Sequence, residues 1–318
     1  MREWTPAAAP ARLRPVPTLP TAARQPVPSA PTGSLPALVT PLTTPHELDL
    51  DGLAALVEQA LAEGATGVRV AGTTGEGTLL EPEQRVALTR AAVAAADGAT
   101  VVAGASGATV DGVRADVARL AAAGADLVLV LPPAIQPLRP EELADAHLAV
   151  ADSADVPLLV YHFPQLTGSS LTPEAIRELS GHDAIVGMKD SSDDADRRAA
   201  FVAAGGDGFG VLTGHAPSLQ AALEAGAAGS ITAIANVRQR QVTALHAAVA
   251  AGALAEASRR QERLTAVTAG LGAVGGSMPA ALKAALQLDG VLAERWCRPP
   301  LRSVPPPALD RVRTALLR

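Results

Sequence analysis

The chain has 318 residues, with 26 Lys and Arg against 32 Asp and Glu, a net charge of −6, one cysteine and 2% aromatics. A single cysteine excludes an internal disulfide framework and a multi-cysteine metal site, and net acidity without a basic run argues against nucleic acid as a partner. No run of about 18 apolar residues is present, so neither a transmembrane helix nor a membrane partner is expected, and a cytoplasmic location is.

Residues 1–33 carry eight prolines and four arginines against one glutamate, with no apolar period. That composition predicts a disordered tail. It lacks the uninterrupted apolar stretch of a secretory signal, though an Arg-rich transit peptide or a mis-assigned start would also fit it. From residue 34 a rhythm begins. Short β-type runs occur at Leu35–Thr40, Gly67–Ala71, Thr100–Gly104, Asp126–Leu131, Pro157–His162, Ala184–Lys189, Gly208–Thr213 and Gly229–Thr232. Helix-like runs lie between them, near 51–63, 82–96, 109–123, 140–153, 172–180, 193–204 and 216–225. Some open on a capping signal, such as Thr172-Pro173-Glu174. Some close on a glycine, as at Gly64, Gly124 and Gly226, each followed by alanine ahead of a strand.

Strands alternating with helices imply a parallel sheet with right-handed crossovers. Eight such units predict an α/β fold, a (β/α)8 TIM barrel. A doubly wound open sheet is the main competitor, but no phosphate loop follows the first strand. The barrel is expected over 34–237, taking in strand 8. Residues 238–318 should supply the last barrel helix and a C-terminal helical extension.

Chemistry in such a barrel sits at the C-terminal ends of the strands. The basic residues are nearly all arginine: the lysines are Lys189 and Lys283, and the lone tyrosine is Tyr161. Lys189 closes the apolar run Ala184–Met188 at the end of strand 6. A lysine there loses hydration, which favours the neutral amine that attacks a ketone and forms a Schiff base. A lysine at a strand end also commonly extends to solvent. Tyr161 ends strand 5, beside strand 6, where its hydroxyl can relay a proton or simply satisfy a buried partner. Gly72-Thr73-Thr74-Gly75-Glu76 after strand 2 offers backbone N–H groups and hydroxyls to a carboxylate, and reads equally as a turn with Glu76 at a helix start. Lys283 lies in a helical pattern away from the strand ends. Cys297 needs no function, and the histidines show no metal-ligand spacing.

Taken together, Gly72–Glu76, Tyr161-x-x-Pro164 and Gly187-Met188-Lys189-Asp190 resemble the dihydrodipicolinate synthase/N-acetylneuraminate lyase family. The similarity runs from about Leu35 to the C-terminus and takes in Pro132-Pro133, Gly226–Ala235 and Arg298–Leu301. It implies a class I, pyruvate-dependent aldolase that needs no cofactor or metal. It also implies Lys189 as the imine lysine, Tyr161 as the acid/base, and Thr73 and Thr74 as relay and carboxylate ligand. Gly75, Gly214, Thr232 and His162 are further substrate-binding candidates, and a dimer or tetramer is the expected assembly.

Three departures bear on the substrate. Synthase-type members carry an arginine where Leu166 stands, so a bidentate carboxylate clamp is missing. They carry tyrosines after the strand 4 proline, where Ala134-Ile135 stand. The sialic acid lyases carry acidic residues after the strand 7 glycine, where His215-Ala216-Pro217 follow Gly214. The expected reaction is therefore reversible cleavage of a 2-keto-3-deoxy sugar acid or 4-hydroxy-2-oxo acid to pyruvate and an aldehyde. The alternatives are dihydrodipicolinate synthase, a dehydratase keeping the imine, and a non-catalytic metabolite-binding barrel.

Overall fold

The computed structural model describes residues 29–132 and 136–317. Residues 1–28 of the expected tail, and Pro133, Ala134 and Ile135, lie outside the described residues. Eight strands form one parallel sheet: β1 (Gly33–Pro36), β2 (Gly67–Val70), β3 (Thr100–Ala105), β4 (Leu127–Val130), β5 (Leu158–His162), β6 (Ile185–Asp190), β7 (Gly210–Thr213) and β8 (Gly229–Thr232). Each pairs with the next in chain order from β2 to β8, and β8 pairs with β1. The ring closes between β1 and β2, where Leu38 N donates to Arg69 O at 2.8 Å and Thr66 N donates to Ser34 O at 3.0 Å.

The strands are apolar on both faces because both are covered. Inward side chains, among them Leu35, Val102, Leu129, Leu159, Leu212 and Ile231, fill the barrel, while outward ones such as Val68, Val128, Val160 and Val211 meet the helices. Ala30, six per cent exposed, seals the floor: a Cβ on Gly210 would lie 2.3 Å from its own. The last residues assigned to the tail therefore belong to the barrel.

The helices are α1 (Leu50–Ala62), α2 (Pro82–Ala95), α3 (Val110–Ala122), α4 (Pro140–Ala151), α5 (Pro173–Leu179), α6 (Ala195–Gly205), α7 (Leu219–Glu224) and α8 (Ala235–Ala250). Their starts follow capping chemistry: Asp49, Thr109, Thr172 and Asp194 each accept a backbone N–H of the first turn. Gly64, Gly124 and Gly226 take φ of 89°, 95° and 92°, the left-handed exit that turns a helix back into the next strand. Asn236 at the start of α8 binds the segment just after β1 with both ends of its amide, donating to Ala37 O at 2.7 Å and accepting from Val39 N at 2.9 Å.

The chain continues into α9 (Leu254–Gly272), α10 (Met278–Leu288) and α11 (Leu309–Leu316). These pack across the mouth rather than around the barrel: Gln261 of α9 donates to Ala216 O beyond β7 at 2.9 Å. The boundary expected between 237 and 238 falls inside α8, beside a break in helical geometry at Arg238 (φ −141°, ψ 31°). Among the described residues no helix is long and apolar enough to cross a membrane.

Candidate active site

The register of β5 on β6 places Tyr161 directly beside Lys189. Both point into the barrel at its C-terminal end, and Lys189 Nζ lies 5.2 Å from the centre of the Tyr161 ring. Thr73, on the loop after β2, brings its hydroxyl to 3.0 Å from that of Tyr161. The three groups sit at the base of a cavity of about 410 Å3. Thr74, Phe163, Gln165, Ser191, Gly214 and His215 complete its barrel side, and Thr268 of α9 and Met278 of α10 form its outer wall.

Burial governs the ionisation of these groups. The Lys189 amine is pushed well below the ordinary lysine value, first by burial and then by the charge of Arg69, with Asp190 opposing. Burial raises the Tyr161 phenol, and Arg69 and the Thr73 hydrogen bond work against that rise. A neutral amine is the nucleophilic form. Gly214 leaves the room it needs: a Cβ there would lie 2.5 Å from Lys189 Cε and 2.1 Å from Ser191 Oγ.

Three expected substrate ligands sit elsewhere. His162 follows Tyr161 and therefore points out of the barrel. Its Nδ1 lies 2.7 Å from Asp190 Oδ1, its Nε2 lies 3.2 Å from Ser170 Oγ, and its ring meets Phe201 edge-on. Asp190 also accepts from Arg198 Nε at 2.8 Å. Burial alone would raise the Asp190 carboxyl, but the His162 hydrogen bond and the nearby positive charge hold it below its usual value. This buried network braces β6 from behind. Thr232 shares the outward face of Ser230, which meets His246 of α8, and it does not line the cavity. Gly75 packs against the segment after β1, where its carbonyl accepts from Thr40 Oγ1 at 2.5 Å.

Glu76 precedes a single 3-10 turn, Gly77–Leu79, without capping it through its side chain. It is fully buried with φ 58°, paired with Lys283 of α10, and accepts from Arg298 N at 2.5 Å. Lys283 also donates to Trp296 O at 2.7 Å. The second lysine therefore anchors the loop that carries Thr73 and Thr74. Leu166 is 55% exposed on a single helical turn and does not line the cavity, whereas its neighbour Gln165 does.

Two groups escaped the sequence reading. Ser191 lines the cavity with a buried hydroxyl that eases the ionisation of the Tyr161 phenol, and Arg69 lies wholly buried inside the barrel. The signal for Arg69 was present, a charge in the middle of the apolar run Gly67–Val70.

A closed barrel, a mouth cavity and a buried amine at its base define the architecture of a barrel lyase. Residues 30–317 match the model of the dihydrodipicolinate synthetase family. The 4-hydroxy-tetrahydrodipicolinate synthase of Xanthomonas axonopodis pv. citri is 39% identical over 209 residues, 64% of this chain and 68% of that protein. The enzyme of the same name from Exiguobacterium sp. is 34% identical over 215 residues, 67% and 73% of the two chains. A prophage protein of the dihydrodipicolinic acid synthase family from E. coli K12, solved with pyruvate, aligns with a TM-score of 0.85 at 27% identity, covering 90% of this chain and 97% of that one. A monomeric dihydrodipicolinate synthase variant aligns equally well, with a TM-score of 0.85, 27% identity, and coverage of 90% and 96%. The chain belongs to the dihydrodipicolinate synthetase family, and so to the carbon–carbon lyases that work through a lysine Schiff base.

Proposed function

We propose that this protein cleaves a 2-keto-3-deoxy sugar acid or a related 4-hydroxy-2-oxo acid, reversibly, to pyruvate and an aldehyde. The observation that carries the reading is the buried Lys189 amine beside the Tyr161–Thr73 hydroxyl pair, at the base of a cavity with no arginine in its wall among the described residues. The neutral amine adds to the C2 ketone and water leaves, giving the iminium. Tyr161 takes the C4 hydroxyl proton, handed on through Thr73. The C3–C4 bond breaks, the aldehyde departs, and the electron pair moves into the iminium to give an enamine. Protonation at C3 and hydrolysis release pyruvate and restore the amine. Thr74 and the loop N–H groups hold the C1 carboxylate, with Gly214 admitting the lysine. No cofactor enters this scheme.

Incubation with pyruvate and borohydride, followed by mass spectrometry, tests the chemistry. The expected result is a reduced adduct on Lys189 that disappears in Lys189→Ala. No adduct, or one that survives that replacement, overturns it.

A second reading is supported by the relatives, which are 4-hydroxy-tetrahydrodipicolinate synthases: condensation of pyruvate with an amino-aldehyde that bears its own carboxylate. Asp193 on the cavity wall opposes that carboxylate, and no guanidinium there answers it. Rates of condensation with neutral polyhydroxy aldehydes and with the carboxylated amino-aldehyde separate the two, and preference for the latter sinks the first. We carry the family's homo-oligomer as part of the same proposal, to be checked by light scattering.

A further inference from the structure

Arg69 is an unusual residue to find inside a barrel. It is fully buried, and none of its three guanidinium nitrogens makes a hydrogen bond. An uncompensated buried charge costs several kcal/mol, and an apolar side chain of the same length would fill the space without that cost. The surroundings are nonetheless shaped to receive it. A Cβ on Gly72 would lie 1.6 Å from Arg69 Nη1, and one on Gly104 would lie 3.3 Å from Nη2. The absent side chain of Gly72 makes room for the guanidinium, and that of Gly104, which also clears the Ala71 carbonyl, widens it.

Its position is specific. The guanidinium carbon lies 5.7 Å from the centre of the Tyr161 ring, whose other near cation is Lys189 Nζ at 5.2 Å. From β2 Tyr161 meets Arg69, from the following loop Thr73, from β6 Lys189, and from just beyond β6 Ser191, whose neutral hydroxyl also favours the phenolate. Asp190 is on the outward face of β6, already committed to His162 and Arg198. Asp193 and His215 line the cavity above. Of the groups around Arg69, the one that acquires a negative charge in a proton relay is the Tyr161 phenol.

We propose that Arg69 is a positioning residue, the built-in counter-cation of the Tyr161 phenolate. The cation stabilises the tyrosine once its proton has moved to Thr73 or the substrate. It also keeps a second positive charge off the neighbouring amine, and the lowered Arg69 value of about 10, caused by burial, leaves it charged at neutral pH. The role in turnover rests on the reading of Tyr161 as the acid/base, but the electrostatic pairing does not, and it can be read without substrate.

Tyr161 is the one tyrosine of the chain, so the near-ultraviolet phenolate band reports it alone. The experiment titrates that band in the wild-type chain, Arg69→Met, Arg69→Lys and Tyr161→Phe, with far-ultraviolet circular dichroism locating alkaline unfolding. At this separation a buried cation moves a neighbouring ionisation by about one to two pH units. The expected result is ionisation before unfolding in the wild-type chain and in Arg69→Lys, and an upward shift of that size in Arg69→Met, or its postponement to the unfolding transition. If wild type and Arg69→Met ionise together, before unfolding or with it, the pairing is wrong. A second arm follows borohydride trapping of pyruvate against pH, where Arg69→Met should move the rise to higher pH. Loss of trapping with an unmoved phenolate would leave the aldolase reading standing and overturn this one.

Discussion

Gly214 sets how closely the amine can approach its surroundings, since nothing but a hydrogen fits between its Cα and Lys189 Cε. Gly214→Ala is therefore expected to displace the amine and cut the rate of borohydride trapping by about 10²-fold, with the circular dichroism spectrum kept. Unchanged trapping would show that the lysine finds another path. At this scale the sequence was readable where scarcity and position agreed. Lys189 and Tyr161 stood at strand ends in a chain with two lysines and one tyrosine, and Thr73 stood in a loop of unusual composition. It misled where a neighbour in sequence was taken for a neighbour in the cavity. Strand alternation sends His162 and Thr232 outward once Tyr161 and Ile231 point inward, so that correction was available from the pattern alone. The role of Glu76 was not, because its partner lies more than two hundred residues away.

The elements held to their expected places because local chemistry and global packing agree: caps start the helices, left-handed glycines end them, and apolar runs make strands buried on both faces. One element carries a pH liability. His246 of α8 sits against Ser230 of β8, with its ring pushed down to about 4 by burial. Its folded value lies below the ordinary 6.5, so the unfolded chain binds the proton more tightly. Stability is therefore full above 6.5, falls as pH drops through that value, and has lost this contribution by about pH 4. The loss is about 3 kcal/mol. His147 of α4, also lowered by burial, pulls in the same direction. Denaturant midpoints for His246→Gln should decline less steeply between pH 6.5 and 4 than those of the parent. Parallel declines would remove His246 from the account.

The whole molecule divides its labour. The barrel supplies Lys189, Tyr161 and Thr73 to the cavity, and α9 and α10 supply the outer wall through Thr268 and Met278. The two parts are joined by the buried pair of Glu76 and Lys283. Glu76→Gln leaves a buried cation without its anion and is expected to lower stability by about 3–5 kcal/mol, while Met at both positions recovers most of it. Urea unfolding of the two variants measures this, and a double Met variant no more stable than Glu76→Gln would deny the coupling. The joint also sets an order in time during synthesis on the ribosome. Every strand of the barrel has been made before Lys283, Trp296 and Arg298 are added. Until then the nascent chain must shelter the Glu76 carboxylate without its cation, and the loop bearing Thr73 and Thr74 is held by Thr40 but lacks its buried ion pair. The strands that carry Lys189 and Tyr161 are thus made well before the loop bearing Thr73 and Thr74 can be tied to the C-terminal helices, so the cavity takes its final shape only after those helices are added.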